Sequence, residues 1–389
     1  MNIIIIITMT FIDTIEQYNT LNKNTTHLIF EDLFNKKIKL TNDVTHLIFG
    51  DLFNKKIILS QNITHLIFGY HFNQNINLSH NITHLTFIYY FDNKIKLTNN
   101  ITHLTFGACF NKKIILTNNL THLFFDKKFN KKINLTIGIT HLTFGEYFNQ
   151  KIQLSISITH LTFNNKFNKK IYLHNNITHL SLGHCFNRKI YLPNNITHLS
   201  LGYNFNKKIN LLNIIYLTIN VGKKIKLPNN IKHLTCYDHY NDKIIISQNT
   251  THLIFKFGFD KKIIIPQNIT HLTFGELFNE KIKIPNNIVH LTLGECFNKK
   301  ITMSNRIIHL ILGYEFNKKI IITNNIKYLC ITRLKQKINL PNGITHLTIK
   351  YSYCQKIKLK LPNSIMYLYF NTNTFNKIII PNHTKIIYY

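Results

Sequence analysis

A short motif, Thr-His-Leu or a close variant of it, recurs along the chain at a spacing of 19 residues. The ten consecutive histidines that follow this spacing are His27, His46, His65, His84, His103, His122, His141, His160, His179 and His198. The register slips near Tyr216, resumes from His233 to His309, and ends less regularly at His346 and Tyr367. A constant period near 20 residues indicates a solenoid, because each unit buries its apolar side chains only against its neighbours.

The apolar positions within a unit indicate strands. In the unit at 63–81, Leu66 and Phe68 alternate with outward residues such as His65, which is the period of a strand. Residues 76–78 form a second period-two segment after a turn. We therefore predict a mostly β, right-handed solenoid of about nineteen 19-residue coils with parallel strand ladders. At about 4.8 Å per coil it would extend roughly 90 Å.

The ends of the chain depart from the repeat. We predict an N-terminal cap at 1–24, a solenoid at 25–370 and a C-terminal cap at 371–389, since open solenoid ends expose strand edges. The isoleucine run at 3–7 is expected to cover the first coil. The slipped segment 211–224 is interpreted as a kink and not as a domain boundary.

Turn residues recur with the strands. Gly69 ends a strand and Asn81 lies in the return turn, and both residue types accept a positive φ at low cost. A second Asn position directly follows the corner Phe, with Asp92 and Asp260 replacing Asn in two coils. Both types accept backbone N–H groups, so we predict a ladder that satisfies the turn amides.

The unit at 192–209, with the sequence LPNNITHLSLGYNFNKKI, resembles the FNIP repeat, a relative of the leucine-rich repeat. Its Thr-His-Leu-x-Phe-Gly-x-x-Phe-Asn signature recurs over nearly the whole chain, although Asn-Lys-Lys-Ile stands where the family usually has Asn-Gln-Pro-Ile. The resemblance implies a leucine-rich-repeat-like solenoid, suggests protein binding and brings no catalytic residues. We expect no F-box, the domain that precedes the repeats in some relatives.

By the same analogy, the histidines lie on the outward face of the sheet. The candidate binding residues are His46, His65, His84, His103, His122, His141, His160, His179 and His198. Stacked imidazoles would share a metal or sense pH, or they would form a neutral structural ladder. We favour the structural ladder, because metal sites use a few convergent ligands and Tyr216 and Tyr328 occupy the same position.

Lysine pairs follow the corner Asn and define a candidate polyanion-binding edge. Its predicted residues are Lys55, Lys56, Lys112, Lys113, Lys131, Lys132, Lys169 and Lys170. The formal charge of +31 favours nucleic acid, but only three of the 47 basic residues are Arg, and the abundant residue types have A/T-rich codons. No aromatic interleaving is evident in the sequence, so we favour solvated turns that keep strand edges apart.

Other function classes lack a signal. The sequence has no phosphate-binding loop, nucleophile elbow or Cys-x-x-Cys pair, and no window is apolar enough for a membrane helix. We expect no enzyme activity, no cofactor and no small-molecule substrate. The unpaired cysteine spacing favours an intracellular, cytoplasmic location, which would be the host cytoplasm for a viral protein. The predicted function is a protein-interaction scaffold with an unidentified partner, and the alternative is polyanion binding.

Overall fold

The computed structural model describes most of the chain, namely residues 9–21, 24–40, 43–220, 227–237, 245–333, 338–351, 359–370 and 378–388. The predicted cover at 3–7 lies outside the described residues, as does the end of the slipped segment, 221–224. The chain divides into two units. The first comprises 1–196 and 200–210, and the second comprises 197–199 and 211–389.

Short strands recur through both units. The first unit contains β1 (Met9–Ile12), the helix α1 (Ile15–Asn19), β2 (His27–Phe30), β3 (His46–Phe49), β4 (His65–Phe68), β5 (His84–Phe87), β6 (His103–Phe106), β7 (His122–Phe125), β8 (His141–Phe144), β9 (His160–Phe163) and β10 (His179–Leu182). Strand β11 (His198–Leu201) has residues in both units. The second unit continues with β12 (Tyr216–Ile219), β13 (His233–Cys236), β14 (His252–Phe255), β15 (His271–Thr273), β16 (His290–Thr292), β17 (His309–Leu312), β18 (Tyr328–Arg333), β19 (His346–Tyr351), β20 (Leu359–Lys360), β21 (Tyr367–Phe370), β22 (Ile378–Ile379) and β23 (Lys385–Tyr388).

Equivalent residues of successive coils lie opposite one another. In the first unit His65 pairs with His84, and Leu66 pairs with Leu85. The described residues form a mostly β fold, a parallel sheet of 21 strands in a solenoid of about 18 turns with a spacing near 19 residues. This confirms the predicted fold class. In the second unit Tyr216 lies opposite His233, although fewer than the usual 19 residues separate them in sequence. The slip therefore leaves the register of the ladder intact.

The described end segments extend the sheet. Strand β1 pairs in parallel with β2, and α1 begins with a capping box in which the Thr14 side chain accepts the N–H of Gln17. At the other end, β23 pairs in parallel with β21.

The core consists of inward apolar side chains stacked in rows. Ile63, Leu66 and Phe68 are fully buried, as predicted, and the corner residue Phe72 is 1% exposed. In the first unit, Phe68 stacks on Phe87 and Phe72 stacks on Phe91, their equivalents in the next coil. Burial of these side chains supplies most of the stabilisation, at about 1.5–3 kcal/mol for each fully buried large apolar side chain.

The coils diverge from the sheet toward the back of the first unit. Ring centroids in successive coils are 5.5 Å apart at the strand pair Phe68 and Phe87, and 6.2 Å apart at the corner pair Phe72 and Phe91. The predicted second period-two segment at 76–78 forms no strand in the structure. Among the described residues, only β20 and β22 pair outside the main sheet.

The corner glycines have a different role from the predicted one. The expectation of a positive φ at Gly69 and Asn81 is wrong, since Phe257 alone among the described residues has a positive φ, at 28°. Instead, a Cβ atom added at Gly69 would overlap the carbonyl oxygen of Gly50 in the preceding coil. Glycine is needed here because the backbones of successive corners approach closely.

Candidate interaction surfaces

The histidines form a stack on the outward side of the sheet in each unit. In the first unit, neighbouring imidazoles from His27 to His179 have centroids 4.0–4.2 Å apart and are nearly parallel. In the second unit the stack passes through Tyr216 and reaches Tyr328 with the same separations. All nine predicted histidines are half-buried members of this row.

In most coils of the first unit, the threonine before the histidine fixes the tautomer of the imidazole. The Thr64 hydroxyl oxygen lies 3.2 Å from the carbonyl oxygen of Thr45 and 2.9 Å from Nδ1 of His65. The carbonyl has no proton, so the hydroxyl donates to it and accepts from the ring. The network therefore assigns the proton to Nδ1 and leaves Nε2 as an acceptor, and the same pair of contacts recurs at Thr83, Thr102, Thr121, Thr140 and Thr159.

Parallel stacking also decides what the Nε2 row can do. A lone pair lies in the plane of its ring, so stacked rings direct their Nε2 lone pairs side by side and not toward one shared ion. Within the described ranges, no three His, Cys, Asp or Glu side chains are placed to hold a metal. The row presents a line of separate hydrogen-bond acceptors.

The environment of the row lowers the pKa of several of its histidines, which favours neutral rings. Partial burial and the charges of His46 and His84 together lower the pKa of His65 to about 4. The same two causes lower the pKa of His160 to about 4. Neutral rings stack without the electrostatic repulsion that protonated neighbours would have.

A second row lies beside the histidines, at the position two residues farther along each strand. It contains half-buried residues such as Ile67 and Thr143, and the 40% exposed Phe124. In the second unit, the corresponding outward residues line a depression of about 400 Å³ that includes His309, Ile311 and Tyr328. We call the two rows together the His face.

Two asparagine ladders connect the coils at their turns. The predicted ladder is present: Oδ1 of Asn54 accepts the backbone N–H of Asn73 at 3.0 Å, and Asp92 performs the same function for Asn111. Sequence reasoning missed the second ladder, in which Nδ2 of Asn100 donates to the carbonyl of His80 at 2.8 Å. The signal for it was the regular recurrence of Asn immediately before Ile-Thr-His.

The lysine pairs follow the first Asn ladder along one corner. Lys55, Lys112, Lys131 and Lys169 are half-buried, whereas their partners Lys56, Lys113, Lys132 and Lys170 are exposed. Lys112 forms an ion pair with Asp92 at 2.9 Å.

Aromatic side chains accompany two of these basic corners, contrary to the expectation from sequence. The Lys170 Nζ atom lies 4.8 Å from the ring centroid of Tyr172, and Lys189 Nζ lies 5.1 Å from that of Tyr191. The missed signal was the sequence Lys-Ile-Tyr-Leu in two consecutive coils.

Comparisons with known proteins agree with this architecture. The FNIP Repeat family matches residues 186–215 and 259–296. The crystal structure of CroV588, a giant-virus protein described as a novel circular LRR protein, is 33% identical in sequence and has a TM-score of 0.60. The match covers 94% of this chain and 70% of that chain. The chain belongs to the FNIP-type leucine-rich-repeat proteins. No curated protein matches this chain.

In this FNIP-repeat protein the residues quoted for the resemblance have clear structural roles. The Leu and Phe of Thr-His-Leu-x-Phe are core residues, the Gly allows the close corner, and the Asn after the second Phe forms a ladder. The residues outside this signature distinguish one coil from the next. The described part of the chain contains no helix that is both long and apolar enough to cross a bilayer.

Proposed function

We propose that this FNIP-repeat protein is a non-enzymatic scaffold that binds a protein partner through the His face. The observation that supports this most directly is the assigned tautomer, because it gives the face a regular line of Nε2 acceptors. The partner would place hydrogen-bond donors along this line and apolar side chains against residues such as Ile67 and Phe124. Repeat solenoids suit such binding because stacked coils make a long surface without a special cavity.

The proposal includes an intracellular, cytoplasmic location. Cys109 and Cys185 are free, half-buried thiols, which suits a reducing compartment. Several Asn residues stand in Asn-x-Thr sequons, and the Nδ2 atoms of Asn81 and Asn195 donate to backbone carbonyls at 2.8 and 2.7 Å. Glycosylation in the secretory pathway would modify the same nitrogen atoms.

Site-specific photocrosslinking in cells tests the His face. A photoreactive amino acid at Thr143 lies on the face, and the same amino acid at the exposed Gln153 on the back of the same coil is the matched control. We expect Thr143 to crosslink a protein that Gln153 does not, as identified by mass spectrometry. The substitution Thr140→Val should weaken this crosslink, because it removes the hydroxyl that orients His141.

Identical crosslinked proteins from both positions would contradict the proposal. So would a crosslink from Thr143 that survives both Thr140→Val and the adjacent Thr159→Val, each variant first being checked for an unchanged circular dichroism spectrum.

A further inference from the structure

The back of the first unit contains a groove that the His face does not use. It lies between the back segments of two successive coils and has a volume of about 580 Å³. The corner rings Phe167 and Phe186 of the same two coils are 6.1 Å apart. Its charged and aromatic lining residues, which define the Tyr172–Tyr191 groove, are Lys151, Lys169, Lys170, Tyr172, Arg188, Lys189 and Tyr191.

The groove is strongly basic. Five cationic side chains line it, and none of the lining residues is acidic. Arg188 is the single arginine in residues 1–210. Its Nε donates to the backbone carbonyl of Asn168 at 3.1 Å, which orients the guanidinium at the groove. The single arginine of residues 1–210 therefore lies at this corner, in a chain whose basic residues are otherwise almost all lysine. Arginine is the better phosphate ligand, because its guanidinium binds phosphate through two hydrogen bonds.

Two exposed tyrosines add aromatic ring faces to the charged groove. Tyr172 is 75% exposed and Tyr191 is 76% exposed, so neither ring contributes to the core. The equivalent position holds Ile115 in one earlier coil and Asn134 in the next, and only these two adjacent coils carry tyrosine within the first unit. The tyrosines thus depart from the repeat at the same place as Arg188.

We propose that the Tyr172–Tyr191 groove binds single-stranded nucleic acid. The lysines and Arg188 would contact phosphates, and the tyrosine rings would stack on unpaired bases. A duplex hides the faces of its bases, and an acidic peptide needs the cations but not the rings.

This inference is independent of the proposed protein scaffold, because the groove and the His face are on different sides of the coil. With five cations in the groove, a plot of the logarithm of the binding constant for a single strand against the logarithm of the salt concentration should have a slope of up to about −3.5. This slope should become less steep when cations of the groove are removed by substitution.

Fluorescence anisotropy with a labelled oligothymidylate of about 12 nucleotides tests the proposal. The double variant Tyr172→Ser/Tyr191→Ser should weaken binding at least tenfold, since each lost stacking contact is substantial. The matched control is Ile58→Ser/Ile115→Ser, which alters equally exposed residues at the same position of other coils and should change affinity less than twofold. The variant Arg188→Gln/Lys189→Gln should reduce the salt slope.

Three results would overturn the proposal. The first is an equal loss of affinity in the tyrosine and isoleucine variants, or less than a twofold loss in the tyrosine variant. The second is equal affinity for the matching duplex, which would indicate binding by charge alone. The third is equal affinity for polyglutamate, which would assign the groove to acidic peptides. Circular dichroism on every variant distinguishes these results from unfolding.

Discussion

Single side-chain atoms connect each coil of the solenoid to the next at its corners. Asn149 illustrates this, because its N–H donates to Oδ1 of Asn130 at 2.9 Å and its own Oδ1 accepts from Asn168 at 3.0 Å. Each ladder residue is thus a donor to one neighbour and an acceptor for the other. An acceptor oxygen is the chemical requirement at this position, which explains why Asp92 and Asp260 are tolerated.

The substitution Asn149→Ala should destabilise the protein, by about 1–3 kcal/mol, because the N–H of Asn168 loses its acceptor. Asn149→Asp should cost less, since it retains an acceptor oxygen. Urea unfolding followed by circular dichroism measures both, and hydrogen exchange of the peptide around Asn168 should accelerate in the alanine variant alone. An aspartate variant as unstable as the alanine variant would contradict this role.

The substitution Gly145→Ala tests the close corner. Its Cβ would overlap the carbonyl oxygen of Asp126, so the strand corner must shift, and overpacking of this kind costs about 1–3 kcal/mol. The control is Asn164→Ala, at the corner of the next coil, where a side chain is already present and exposed. We expect a lower urea midpoint for the glycine variant only, and equal midpoints would show that the corner adjusts freely.

At the scale of the strand, most of the fold follows from the sequence. Leu66 and Phe68 were predicted as core because alternation in a strand determines which side chains point inward. The state of 76–78 was not predictable, because Ile76 and Leu78 alternate in the same way whether an extended segment is paired or not.

The tautomer of the histidines and the Tyr172–Tyr191 groove also depend on distances between successive coils. The sequence places Thr64 beside His65, but the tautomer follows only from the approach of its hydroxyl to the Thr45 carbonyl. Tyr172 and Tyr191 are also visible in the sequence, yet their common groove requires coils that diverge at the back. The repeat period predicts which residues of successive coils lie opposite one another, whereas the distances between their atoms required coordinates.

The His ladder should make stability depend on pH. An unfolded chain binds protons at its histidines with a pKa near 6.5, whereas the folded pKa of His65 and of His160 is about 4. The unfolded state therefore binds more protons between these values, so stability is complete above about pH 6.5 and is lost as the pH falls toward 4. We expect a lower urea midpoint at pH 4.5 than at pH 7.

A variant separates this effect from the titration of carboxylates. His65→Tyr/His160→Tyr removes two titrating groups, and Tyr216 already stacks in the ladder at 4.1 Å from His198. The double variant should lose less stability than the unmodified protein on the same acidification. Equal losses in the two proteins would assign the pH dependence to other groups.

At the scale of the whole molecule, the main electrostatic property is an excess of positive charge that recurs with the repeat. The formal charge is +31, from 47 basic and 16 acidic residues. Most coils add a lysine pair at the same corner, so charges of one sign lie in neighbouring coils. This arrangement favours solubility, and it opposes the compact state through self-repulsion.

Salt should therefore stabilise the fold. Raising NaCl from about 0.05 M to about 0.5 M shortens the screening length to a few ångströms, which weakens repulsion between lysine pairs of neighbouring coils. We expect the thermal unfolding midpoint to rise over this range, and Lys131→Gln/Lys132→Gln to raise the midpoint at low salt and to reduce its salt response. The control Lys131→Arg/Lys132→Arg keeps both charges and should keep the full salt response. A salt response of the same size in the glutamine and arginine variants would show that the lysine pairs do not limit stability, and that their repeated charge is available for binding without a cost to the fold.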